Sequence, residues 1–265
     1  MTEYGKFAVS IAKEAGAILK ERFKEKHEID YKGEIDIVTE ADRMSETILV
    51  SEIGRKFPDH NILSEESTEV RKGSSYRWII DPLDGTTNYA HGFPVFCISI
   101  ALEKDGAVIC GVVHNPVSEE LFVAEKGGGA FVNGSAISVS QTTEISESLL
   151  ATGFPYDIRR DPNNNINYFS EMALEAQAIR RAGSAALDLA YTAMGRFDGF
   201  WELKLHQWDT AAGWLIVCEA GGIVTDISGN SYHLDSPSIV ASNRIIHDSM
   251  IRILNRINPF DKRLL

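Results

Sequence analysis

The segment Asp81-Pro82-Leu83-Asp84-Gly85-Thr86-Thr87-Asn88 follows the β-rich run YRWII and sets two carboxylates three residues apart in a turn shaped by proline and glycine. A strand ending this way holds hard oxygen ligands at fixed separation. That donor chemistry suits Mg²⁺, which takes one or two carboxylates, keeps several waters and completes its shell with phosphate oxygens. Gly85 permits close backbone approach, and the amides of Gly85, Thr86 and Thr87 can open a helix whose N-terminus receives a phosphate. Taken alone, the octapeptide also fits an ordinary Asp-rich strand-to-helix turn. Two more acidic segments bear on the choice. Ser64-Glu65-Glu66-Ser67 follows the apolar NIL, and Trp208-Asp209-Thr210-Ala211-Ala212 sets an acid at the start of an apolar helix. Read singly, the first is a solvated glutamate pair and the second a helix cap.

The elements that must position these acids are legible in the apolar spacing. Phe7, Ala8, Ile11, Ala15, Ile18 and Leu19 recur at helical intervals, predicting an amphipathic helix over residues 3 to 24. A second helix is capped by Thr39, buries Met44, Ile48, Ile53 and Phe57, and is stopped by Pro58. From 61 to 140 the runs NILS, YRWII, VFCISIAL, AVICGVV, ELFVA and AISVS, with hairpin turns at Asp105-Gly106 and Asn133-Gly134, predict mainly antiparallel sheet. After 147 strand and helix alternate: SLLATGF, a helix from about 165 to 178, a helix from Ser184, FDGFW, a helix from Asp209, GGIVTD, SIVAS and a closing helix from about 245. The stretch 157 to 167, DIRRDPNNNIN, reads as a surface loop. With no internal repeat and no long linker, the halves 1–146 and 147–265 are expected to pack as one compact unit.

Composition narrows the function classes. In 265 residues, 26 Lys+Arg against 38 Asp+Glu give a net charge of -12, so the average surface repels phosphate backbones and anionic lipid. Gly and Pro, 21 and 8 residues, are far too few for a low-complexity chain. The N-terminus interleaves Lys and Glu with its apolar positions and reads as no signal peptide, and the apolar run near Trp214 is cut by Glu219 and Asp226, so a cytoplasmic protein without membrane spans is expected. Cys97, Cys110 and Cys218 lie singly in apolar runs, the pattern of buried reduced thiols rather than of disulfides or zinc ligands.

Together and in order, the three acidic segments resemble the inositol monophosphatase family of Mg²⁺-dependent, lithium-sensitive sugar phosphatases. The resemblance spans about residues 5 to 258. It rests on two signatures, WIIDPLDGTTNY (78 to 89) and WDTAAGWLIVCEAGG (208 to 222), on Glu65, and on Asp36 and Asp42 within IDIVTEAD. It implies an α/β (α+β) fold, a layered αβαβα sandwich with an antiparallel first sheet, a smaller mixed second sheet and the site at the seam. It also implies a homodimer and two to three Mg²⁺ ions per site. Glu65, Asp81 and the Leu83 carbonyl would hold the first ion, Asp81, Asp84 and Asp209 the second, and Glu65 a third through water. Glu65 and the Thr86 hydroxyl would orient the attacking water, and Asp42 would hold Thr86 in line. Phosphate would meet Asp84 and the Gly85-Thr86-Thr87 turn, and the sugar would meet Gly183-Ser184-Ala185, Arg180 and Glu202. Ser184 stands where the family usually has Thr, which keeps the hydroxyl. Lys32 and Asp36 would help close a loop over the third ion.

The implied activity is hydrolysis of inositol monophosphate, a small phosphorylated polyol. Rivals within the class are fructose-1,6-bisphosphatase and phosphatases of adenosine nucleotides, NADP or histidinol. A non-catalytic accessory role in an RNA-related complex is the rival class. The intact set Glu65, Asp81, Asp84 and Asp209 favours the enzyme. His91 and His206 are read as packing neighbours of the signatures, the GGGA at 127 to 130 as a turn, and Trp78, Trp208 and Trp214 as core aromatics.

Overall fold

A computed structural model describes residues 1–23, 25, 29–31 and 37–256. Helix α1 (Glu3–Arg22) precedes a small antiparallel pair, β1 (Ile29–Tyr31) with β2 (Ile37–Thr39). Helix α2 (Glu40–Lys56) starts where expected. Thr39 Oγ1 accepts from the Ala41 amide, and the helix ends before Pro58.

The first sheet has seven strands in sequential order: β3 (Asn61–Ser64), β4 (Tyr76–Asp84), β5 (Cys97–Lys104), β6 (Ala107–Asn115), β7 (Glu120–Glu125), β8 (Ala130–Val132) and β9 (Ser135–Ala136). All pairs are antiparallel except β3 with β4, which is parallel because the chain leaves β3 and re-enters on the same side through 65–75. The run AISVS keeps only Ala136 in a strand, and β8 just before it escapes sequence detection. Both hairpin turns form as expected, with positive φ at Asp105, Gly106, Asn133 and Gly134. Between β4 and β5 lies the short helix α3 (Thr86–Ala90).

The second sheet runs β11-β10-β12-β14-β13, from β10 (Leu149–Thr152), β11 (Ala178–Arg180), β12 (Gly199–Leu203), β13 (Ile223–Thr225) and β14 (Ser238–Ser242). It is mixed, with β10 parallel to both neighbours and β14 antiparallel to both of its own. Its helices are α4 (Ile166–Glu175), α5 (Ala185–Ala193), α6 (Gln207–Glu219) and α7 (His247–Asn255). Helix α4 ends short of 178 because Ala178–Arg180 pairs with β10 as an edge strand.

Strand alternation assigns the layers. Ile80, Ile98, Ile100 and Val112 face α1 and α2, packing on Ile11, Leu19 and Leu49. Ile79, Val113 and Phe122 point the other way, onto Leu187, Leu189 and Ile216 of α5 and α6, which also meet Phe200 and Ala241 of the second sheet. The outer face of that sheet, Trp201, Leu203 and Val240, packs on Met172 of α4 and on Met250 and Ile253 of α7. The order is thus helix, sheet, helix, sheet, helix, the αβαβα sandwich. Each such fully buried side chain contributes about 1.5–3 kcal/mol, so the layers hold the seam between α5, α6 and the first sheet as a stiff frame.

Candidate active site

Two carboxylates three residues apart in a regular strand point to opposite faces. In β4 they do not. Asp81 opposes Ser99 and Asp84 opposes Cys97, so three steps on β4 match two on β5, and the extra residue turns Asp84 toward the side of Asp81. Pro82, with no N–H to pair, sits within this bulge. Asp81 is 1% exposed and its Oδ1 accepts from the Leu83 amide at 2.9 Å. Asp84 Oδ2 accepts from Ser184 Oγ and from the Ala186 amide, each at 2.7 Å, which fastens β4 to the start of α5. Gly85 follows at φ +99°, where a Cβ would lie 2.9 Å from the Val95 carbonyl, so the turn into α3 demands glycine.

Behind the turn, Thr86 Oγ1 donates to Asp42 Oδ1 (2.9 Å) or to the Leu83 carbonyl (3.0 Å). Asp42 Oδ2 meanwhile accepts from the Thr39 amide and hydroxyl at 2.8 and 2.6 Å, closing the capping box of α2. Asp209 is the third residue of α6 rather than its first. The helix begins at Gln207, and Asp209 Oδ2 accepts from the His206 amide at 2.6 Å.

Electrostatics binds these acids into one group. Burial pushes Asp81 well above the usual carboxylate range, and the charges of Glu65, Asp84 and Asp209 push it further. Asp209 is raised by burial, then by Asp84 and Glu65. Asp84 is raised by burial to about 6, with its hydrogen bonds to Ser184 and Ala186 opposing the shift. Asp42 is raised by burial and lowered by its bonds to Thr39 and Thr86.

Asp84, the Gly85-Thr86-Thr87 turn, Gly183-Ser184-Ala185, Glu202 and Asp209 line a single cleft of about 120 Å³ at the seam. Glu65, Asp81, Leu83 and Asp42 do not line it, although Asp42 and the Leu83 carbonyl both meet the lining residue Thr86. A larger groove of about 910 Å³ runs along α1 and β7 and contains none of these residues. Glu202 is 8% exposed, and its carboxylate lies so close over Gly153 that a Cβ there would come within 2.2 Å of Oε1. Burial and the Asp84 charge raise it to about 8, while Arg181 draws it down.

Arg180 departs from expectation. It ends β11 exposed, its guanidinium donates to the Ile179 carbonyl at 3.2 Å, and it does not line the cleft. Its neighbour Arg181 does, with Nη1 against Gly183, since successive residues of an extended chain face opposite sides. Cys218 is exposed rather than buried, whereas Cys97 and Cys110 are buried, and all three are free thiols. Lys32 and Asp36 lie outside the described residues. His91 and His206 are exposed, and His206 stacks on Trp208. Sequence reasoning missed Asp188 and Arg181. The available signal was helical spacing, because Asp188 lies four residues after the capping Ser184 and shares its face.

Among the described residues, no three His, Cys, Asp or Glu side chains are gathered into a group that could hold a metal ion as they stand. One oxygen each of Asp81, Asp84 and Asp209 accepts from a protein donor. The donor set nevertheless fits a hard divalent cation. The charges of Glu65, Asp84 and Asp209 raise Asp81, and those of Asp84 and Glu65 raise Asp209, in a buried seam where an oxygen-seeking cation relieves the repulsion.

An αβαβα sandwich with an acid-lined seam between its sheets is of the sugar-phosphatase type. The chain belongs to the inositol monophosphatase family, whose model matches residues 1–258, and it is accordingly a phosphoric monoester hydrolase. It is 41% identical to an inositol-1-monophosphatase of Mesorhizobium japonicum over 94% of both chains. It is 40% identical to the Nus factor SuhB of Salmonella typhimurium over 97% of both. The solved inositol monophosphatase of Anabaena superposes with a TM-score of 0.89 at 42% identity, covering 97% of each chain. No helix among the described residues is long and apolar enough to cross a membrane.

Proposed function

We propose that this chain hydrolyses inositol monophosphate to inositol and phosphate with Mg²⁺ held by Glu65, Asp81, the Leu83 carbonyl, Asp84 and Asp209. The observation that carries the reading is that Asp84 and Asp209, with Asp81 and Glu65 close enough to act on them, line one cleft together with Glu202 and the Gly183-Ser184-Ala185 turn. The names of the relatives agree with it. Two to three magnesium ions, when bound, supply charge that neutralises the phosphate and lowers the pKa of the attacking water.

The chain's own residues do the rest. The amides of Gly85, Thr86 and Thr87 receive phosphate oxygens and stabilise the charge that grows on them in line. Thr86 gives its one proton to Asp42 or Leu83, which leaves its lone pairs to accept from the attacking water. Glu65 takes the water's proton. Glu202 and the 183–185 turn hold the hydroxyls of the departing alcohol. No side-chain nucleophile takes part. Li⁺ competes for the ion site of Asp84 and Asp209, and the enzyme works as a cytoplasmic homodimer.

Phosphate release from a panel of sugar and nucleotide phosphates tests the reading. Inositol monophosphate should be cleaved, an excess of chelator should abolish cleavage, and added Mg²⁺ should restore it. Full activity in chelator or a trapped phosphoenzyme would overturn the mechanism, and a preference for fructose-1,6-bisphosphate would shift the substrate to the bisphosphatase reading.

A further inference from the structure

We propose that Asp188 is a specificity-determining residue that hydrogen-bonds a hydroxyl of the leaving alcohol beside Glu202, an inference that rests on the polyol phosphatase reading above. Asp188 sits on α5 one turn beyond Ser184, lines the cleft and is 1% exposed. Its Oδ1 is the one buried side-chain oxygen or nitrogen among the described residues that has no hydrogen-bond partner. Folded proteins rarely leave such an atom unpaired, and the exceptions tend to be functional.

The usual structural duties of a buried acid are filled by others. Ser184 caps α5 through the Leu187 amide, and Asp188 has no ion pair among the described residues. The flanking residues Ala186, Leu187, Leu189 and Ala190 are fully buried and apolar, a setting in which leucine would pack without leaving a polar atom unpaired. The phosphate end of the cleft is already furnished by Asp84 and the Gly85 turn. Asp188 lines the same cleft as Glu202, whose charge acts on it ahead of that of Asp84, and the Arg181 guanidinium is close enough to act on both acids. Two carboxyl groups so placed suit a polyhydroxylated, uncharged ring, and one alone would suffice for a simple alcohol.

The test compares inositol monophosphate with p-nitrophenyl phosphate, whose leaving group carries no further hydroxyl. Asp188→Ala should raise KM for inositol monophosphate tenfold or more and leave p-nitrophenyl phosphate within twofold. Asp188→Asn, which keeps a donor and an acceptor in the same volume, should recover most of the loss. The melting temperature of Asp188→Ala should be at or above that of the natural chain, and Asp188→Leu gives the same comparison should the alanine chain not fold. Equal losses on both substrates, or an unchanged substrate ratio in the substituted chains, would overturn the proposal. If the natural chain cleaves p-nitrophenyl phosphate but not inositol monophosphate, the substrate reading has failed. The ratio is then taken with the best hydroxylated phosphate of the panel, where retention of the ratio still overturns the role of Asp188.

Discussion

The two ends of the cleft use the same functional group for opposite purposes. At the β4 end, the charges of Glu65, Asp84 and Asp209 act on Asp81, and those of Asp84 and Glu65 on Asp209, so positive charge is favoured there. At the β12 end, Glu202 and Asp188 are raised by burial first, and the nearby Arg181 partly offsets them. The first arrangement calls for a cation. In the second, Glu202 is lifted to about 8, so near neutral pH it can both donate to and accept from a hydroxyl, and burial raises Asp188 beside it. Carboxylates so divided separate the work on phosphorus from the recognition of the alcohol.

The strongest way to break that division is to remove charge at the first end. Asp81→Asn, Asp84→Asn and Asp209→Asn should each lower turnover on inositol monophosphate by roughly two orders of magnitude or more. In metal-free buffer their melting temperatures should be unchanged or higher, because each removes a repelling neighbour. Near-natural turnover at saturating Mg²⁺ in any one of them would strike that residue from the ligand set.

A subtler test lies at the joint between α2 and the turn. Thr86→Val keeps the shape of Thr86 and removes the hydroxyl that Asp42 holds, so kcat should fall by about 10- to 100-fold, less than the roughly 10²- to 10⁴-fold of a lost general base because Thr86 orients the water and does not take its proton. KM should change little, and an effect confined to KM would show that Thr86 binds rather than orients.

The smallest effect sharpens the other end. Glu202→Gln should lower kcat/KM for inositol monophosphate roughly tenfold, with a lesser loss on glycerol phosphate. It should also alter stability against pH. With its folded value raised from 4.5 to about 8, Glu202 holds a proton that the unfolded chain releases. Stability is therefore fully present below about 4.5 and is lost as pH rises through about 8, by an amount on the order of a few kcal/mol. Thermal melts in metal-free buffer at pH 5 and pH 8.5 should show Glu202→Gln gaining on the natural chain at the higher pH. A constant difference would mean that the carboxylate is better solvated than its burial indicates.

Much of the frame could be read from residues with local chemistry. Thr39 and Pro58 bound α2, and Asp105-Gly106 and Asn133-Gly134 form the turns their types demand. What escaped depends on distant partners. Ala178–Arg180 is too short to announce a strand and becomes one only beside β10. Asp209 reads as a helix start, yet the helix begins two residues earlier because the His206 amide turns to its carboxylate. Asp188 sits in an alanine-rich helix with nothing local to mark it until the fold buries that face, and the choice between Arg180 and Arg181 is decided by the direction in which the chain leaves a sheet edge.

Asp42 has both oxygens committed, one to the first turn of α2 and one to Thr86. A helix end ordinarily frays on its own, at little cost to the rest of a molecule. Here fraying would draw Asp42 away from Thr86 at the same moment and leave the Leu83 carbonyl as the other acceptor of that hydroxyl. Local opening of the backbone at Thr39 is thereby coupled to which acceptor the Thr86 hydroxyl uses, and a helix packed on the far side of the sheet has a hand in the aim of that hydroxyl.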